Sequence, residues 1–98
     1  MRWIWDPEKN RINRRDHKVS FEIAELVFAD PLAITLRDPY LDEQRWRTIG
    51  TPGTRRDVVL FVVHTWPEED ETGEEVGRII SARKATRRER RAYEDGTF

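Results

Sequence analysis

The apolar residues of this chain recur at two different periods, and the changes of period mark its elements. The opening RWIW reads as a short strand that stops at Asp6, where DPE supplies an N-cap, a proline at the first helical position and an acid in the first turn. A polar helix is expected to follow as far as about Asp16. Ser20 then caps a second helix, FEIAELVF, in which Phe21, Ala24 and Phe28 recur at helical spacing with Ile23 and Val27 beside them. Asp30 and Pro31 end it, because a residue before proline avoids helical geometry.

From Leu32 the period shortens. Leu32, Ile34 and Leu36 alternate with smaller or polar residues, as in a half-buried strand. After the turn RDPYLDE, the strand RWRTIG puts Arg45, Arg47 and Ile49 on one face and Trp46 and Thr48 on the other. A second turn, TPGTRRD, leads into VVLFVVHTW, whose nearly unbroken β-branched and aromatic run predicts a central strand covered on both faces. The acidic loop EEDETGEE separates it from the last strand, EVGRIISAR. Strands joined by such short connections form an antiparallel meander. The expected fold class is therefore α+β: two N-terminal helices, an antiparallel sheet, and a helix at the C-terminal end. Phe21, Phe28, Phe61 and Ile80 are expected in its core.

Behind the last strand, Thr86 followed three residues later by Glu89 is a capping box, so the third helix starts there. Glu89 then has a structural task, with a catalytic one as the alternative. On the strand itself, period two places Ile79, Ser81 and Arg83 on one side and Val76, Arg78 and Ile80 on the other. Arg78 and Arg83 reach one site only if a bulge or the strand end turns one of them.

Composition narrows the class. Of 98 residues, 18 are Lys or Arg and 19 are Asp or Glu, so no net field draws the chain to nucleic acid. The charge is segregated: Arg78, Arg83, Lys84, Arg87, Arg88, Arg90 and Arg91 stand against Glu89 alone, directly after a run of acids from Glu68 to Glu75. Such a run is either a solvated face or one anion-binding face on a neutral protein. The length suits one domain over residues 1–98, with four Trp and four Phe to fill a core. With no cysteine, thiol catalysis, disulfides and thiolate metal sites are excluded, in keeping with a reducing cytoplasm. No apolar run approaches membrane-spanning length and the first residues lack the apolar core of a signal peptide, so a cytoplasmic protein without membrane partners is expected.

WDPEKNRINRRDHKVSFEIAELVFADP resembles the opening motif of the BrnT family of bacterial toxins: Trp-Asp, Lys, Asn, His, Ser-Phe-Glu and Phe-x-Asp-Pro. RTIG and RIISARKATRRERRAYE resemble its later signatures, and the match runs in order over residues 3–94. The chain departs from the family in DPYLDEQR, where a histidine is common, and in TRRD, where a Gly-Arg pair is common. A role hung on that histidine does not transfer. The resemblance implies a RelE-like fold and a toxin of a type II toxin–antitoxin system that halts translation by cutting RNA. It also implies a BrnA-like antitoxin partner, through which alone the toxin meets operator DNA.

Metal-free RNA cleavage needs a base for the 2′-hydroxyl, cations for the developing phosphorane charge and an acid for the leaving oxygen. Arginine suits the middle task, since its planar fork binds phosphate bidentately and stays charged. Arg83, at the strand end before a helix N-terminus, is the first candidate for the phosphate; its alternative is a salt bridge to a nearby carboxylate. Arg78 and Arg47 are companions, and Arg45, Lys84, Arg87, Arg88 and Arg91 are candidates for guiding RNA. His64 is a candidate acid or base, with a hydrogen-bonded structural histidine as the alternative, since it shares a strand face with Leu60 and Val62. Glu43 is a candidate base in its turn, and Tyr93 either stacks a base or packs on the sheet. His17 and His64 are the only histidines and lie far apart in sequence, so neither metal nor cofactor is expected. A non-catalytic module that holds a partner or nucleic acid remains the alternative function.

Overall fold

The computed structural model describes residues 1–39, 44–53 and 57–98. Strand β1 (Arg2–Ile4) leads into helix α1 (Pro7–His17), then α2 (Phe21–Glu25), which tightens into a 3₁₀ turn over Leu26–Ala29. Strands β2 (Ile34–Asp38), β3 (Arg45–Gly50), β4 (Leu60–His64), β5 (Glu68–Glu69) and β6 (Glu75–Lys84) follow, and α3 (Arg87–Asp95) comes last. Among the described residues, no helix is long and apolar enough to cross a membrane.

The helix starts are written in single residues. Asp6 accepts the Glu8 amide at 2.9 Å with Pro7 at the first helical position, and Ser20 Oγ accepts the Ile23 amide at 3.2 Å. At α3 the capping box is complete: Thr86 Oγ1 accepts the Glu89 amide at 3.1 Å and Glu89 accepts the Thr86 amide at 2.9 Å. Gly96, at φ 71, closes α3 in the left-handed conformation that glycine adopts without strain.

The sheet order is β1-β6-β4-β3-β2, with β5 also paired to β6. The antiparallel arrangement expected between Leu32 and Arg83 holds for β2, β3, β4 and β6. Two departures make the sheet mixed and larger. The opening strand runs parallel to β6, with Trp3 opposite Gly77, and the acidic loop contributes β5 as a hairpin partner of β6. Gly77 is required there, because a Cβ would stand 2.3 Å from the Trp3 ring.

Helices α1 and α2 cover one face of the sheet. Val19, Phe21, Ala24 and Val27 meet Leu60, Val62, Ile79 and Ala82, and Phe28 packs half-buried at the edge of that cluster. Ile79 takes the core position expected for Ile80. Phe61 is buried as expected, but on the other face, where it opposes Arg83. What α1 lacks in apolar residues, two buried asparagines supply. The Asn13 side chain donates to the Val19 and Ala82 carbonyls at 2.9 and 2.7 Å and accepts the Ala82 amide at 3.2 Å. Asn10 accepts the Phe21 amide at 2.9 Å. These amides pin the connection between α1 and α2.

Candidate nucleic-acid interface

The face of the sheet away from α1 and α2 collects the arginines. Pairing of Arg47 with Val63 and of Phe61 with Arg83 puts Arg45, Arg47, Phe61, Val63, Ser81 and Arg83 on that side, as the alternation of β3 implies. Arg78 joins them through a break in the register. Val63 opposes Ser81 while His64 opposes Ile79, so Ile80 is the extra residue of a β-bulge. The expected division of β6, with Ile79, Ser81 and Arg83 on one side, therefore fails at Ile80. Ile79 turns inward to the helices, and Arg78 comes to lie on the side of Arg83.

At the centre of this face two guanidinium groups meet two aromatic rings. Arg83 stands 4.2 Å from the centroid of Phe61, Arg47 stands 5.9 Å from that of Phe98, and the two phenylalanines meet edge to face at 6.1 Å. The fork of Arg83 is occupied: its Nη1 and Nη2 donate to the two oxygens of Glu89 at 2.8 and 3.0 Å. This hydrogen-bonded pairing, helped by the Thr86 amide, lowers the Glu89 carboxyl to about 2 and raises the Arg83 guanidinium. Glu89 thus stays ionised and cannot carry a proton near neutral pH. Arg47 differs, since its Nε is buried and has no hydrogen-bond partner among the described residues. A buried donor without an acceptor costs free energy, and the Trp46 Nε1 is in the same position.

The other candidates fall into three places. Arg45 and Arg78 extend the arginine face, each with a partner of its own. Arg87, Arg88 and Arg91 are exposed on α3, without ion pairs among the described residues. Lys84, opposite Leu60, faces the helix side. Tyr93 is fastened: its hydroxyl donates to Asp30 at 2.6 Å, tying α3 to the turn after α2. Asp30 also accepts the amides of Leu32 and Thr51, both at 2.9 Å, and these bonds hold its carboxyl below the usual range against its partial burial. Glu43 lies outside the described residues.

His64 does not meet the arginines. It lies on the helix side of the sheet, 2% exposed, with Thr48 Oγ1 at 2.7 Å from Nε2 and the Thr65 carbonyl at 2.8 Å from Nδ1. Trp3 and Phe28 stack against each other at 3.9 Å, and both stand edge-on to its ring. Burial pushes its pKa below 6.5, so the neutral ring is the favoured form. The alternation of β4 already grouped it with Leu60 and Val62, and the same alternation could have put Phe61 on the arginine face. Phe98 carried no such signal, because its position depends on how α3 returns to the sheet.

The arrangement suits a negatively charged chain, with guanidinium groups for its phosphates. Comparison with known proteins is consistent with that chemistry. Among solved structures, the chain is similar to the crystal structure of the Brucella abortus ribonuclease toxin BrnT. The identity is 22%, the TM-score is 0.59, and the match covers 89% of this chain and 99% of that one, which bears on the fold. A search of curated proteins gave no match. The family model described as the ribonuclease toxin, BrnT, of type II toxin–antitoxin systems matches residues 5–89. The chain belongs to the BrnT family of ribonuclease toxins of type II toxin–antitoxin systems.

Proposed function

We propose that this chain is itself an RNA endonuclease that works without a metal, inhibits translation, and is neutralised by a BrnA-like antitoxin. The observation that carries the reading is the arginine face itself, where the bulge at Ile80 gathers Arg78 with Arg83 beside Arg45 and Arg47. In this reading Arg47 takes the scissile phosphate. The 2′-hydroxyl gives its proton to water as its oxygen attacks phosphorus, the bond to the 5′-oxygen breaks and that oxygen takes a proton from water, and Arg47 stabilises the extra charge on the non-bridging oxygens in between. Arg83, held by Glu89 and lying over Phe61, gives the face a fixed positive charge, and Arg78 and Arg45 track the flanking phosphates. The exposed Arg87, Arg88 and Arg91 guide RNA through screened attraction.

The test uses purified protein and end-labelled single-stranded RNA with excess EDTA. Cleavage by the wild type and its loss of about 100-fold or more in Arg47→Ala, with the fold retained by circular dichroism, is the expected result. Full activity of Arg47→Ala refutes its assignment. Absence of cleavage by folded wild type, together with unimpaired growth of cells expressing it alone, favours the non-catalytic binding module.

A further inference from the structure

A second surface has a different chemistry and lies on the helix side of the sheet. Between α1, α2 and the adjoining ends of β4 and β6 runs a groove of about 450 Å³ with Val58 and Leu60 in its floor and Arg14, Lys18 and Lys84 on its rim. None of these three cations has an acid within ion-pairing distance among the described residues; Glu22, which accepts from Asn10 at 2.8 Å, acts on Arg14 only at longer range, as Asp16 does on Lys18. The groove does not end at its apolar floor. Ile23 lines it from α2, and Leu26, one turn further, lines a second groove of about 410 Å³ together with Leu32. These side chains are large and open to solvent, Ile23 at 42%, Leu26 at 39% and Leu32 at 70%. Single exposed leucines are ordinary, but a row of them that joins two grooves and ends at three cations without close ion pairs among the described residues is not.

We propose that this strip is a docking surface for an acidic, amphipathic segment of a protein partner. Apolar side chains of the segment cover Ile23, Leu26 and Leu32, and its carboxylates meet Arg14, Lys18 and Lys84. Charge complementarity sets the sign of the partner, and the apolar row sets its class, since Ile23, Leu26 and Leu32 offer a nucleic-acid backbone no donor. Leu60 faces the helices and Phe61 the arginines, so a segment docked here leaves the face of Arg47 and Arg83 uncovered. The inference stands apart from the ribonuclease reading.

The experiment titrates the full chain against a fluorescein-labelled peptide with Leu at helical spacing and Glu between, and against the same peptide with Lys for Glu. Saturable anisotropy with the Glu peptide alone is expected, with Kd raised about tenfold or more by Ile23→Asp and by Arg14→Gln with Lys18→Asn. Asparagine tolerates the left-handed conformation of Lys18, at φ 61, so that variant should fold. No saturable binding, equal binding of the Lys peptide, or indifference to both variants overturns the proposal. So does an equal loss of single-stranded RNA affinity in Arg14→Gln with Lys18→Asn, which would give the surface to RNA. A wild-type dimer in sedimentation that Ile23→Asp converts to a monomer would give it to a second copy of the chain, and also overturns it.

Discussion

Replacing Glu89 with glutamine removes the charge that holds Arg83 while leaving a carbonyl oxygen able to accept the Thr86 amide, so it separates the ion pair from the helix cap. The depression of the carboxyl from 4.5 to about 2 sets a ceiling of about 3 kcal/mol on what ionised Glu89 contributes at neutral pH. Side-chain exposures of 36% for Arg83 and 21% for Glu89 screen the pair, so the expected loss in Glu89→Gln is about 1 to 2 kcal/mol. The folded-state pKa lies below the unfolded one. The contribution is therefore complete above pH about 4.5 and is lost as pH falls through about 2. Urea unfolding followed by tryptophan fluorescence, on wild type and variant between pH 7 and pH 2, reads this directly. Other carboxylates titrate in the same range but cancel in the difference between the two proteins. The difference should be present at pH 7, shrink below pH 4.5 and vanish near pH 2. A difference that keeps its size throughout would mean that the side-chain change, and not the ionised pair, is responsible. No difference at pH 7 would mean that Arg83 gains as much from water as from Glu89.

Asn13→Ala leaves the Ala82 amide and carbonyl and the Val19 carbonyl without their side-chain partner, and should cost about 2 to 4 kcal/mol in urea unfolding; less than about 1 kcal/mol would mean that water replaces the amide. Gly77→Ala drives a methyl into the Trp3 ring and should expel β1, read as increased tryptophan exposure to acrylamide and a loss of about 2 kcal/mol or more. Unchanged quenching would show that β1 accommodates it. His64 is lowered from 6.5 by burial, so its unfolded form binds the proton first. Stability should fall as pH drops below about 6.5, by up to about 1.4 kcal/mol per unit, and His64→Gln should remove that part of the slope. An unaltered slope in His64→Gln would assign it to other groups.

Much of the interface was legible in the chain, and the rest follows from contacts that no local pattern encodes. Asp6-Pro7, Ser20 and the Thr86–Glu89 box act within a turn of themselves, so the helix starts could be read directly. Period two in RWRTIG and in LFVVH depends only on extended backbone, so Arg45 with Arg47, and His64 with Leu60 and Val62, were grouped correctly before any fold was known. The alternation says which residues share a face but not what covers it. That the helices α1 and α2 chose the face of His64, leaving the other to the arginines, was decided by the packing of Phe21, Ala24 and Val27 on the sheet. The bulge at Ile80 was equally hidden, since it arises from fitting β6 to β4 while β1 and β5 flank its first half, a requirement set by strands distant in sequence. Parity carried past that point put Ile80 in the core and Arg78 on the wrong side. The sequence by itself determined the elements, their caps and the grouping of side chains along each strand, because those depend on neighbours within a few residues. Tertiary structure alone decided the parallel placement of RWIW, the shared face of Arg78 and Arg83 and the burial of the Arg47 Nε. Each of these is set by how separate elements meet, and a local pattern carries no information about a partner it does not contain.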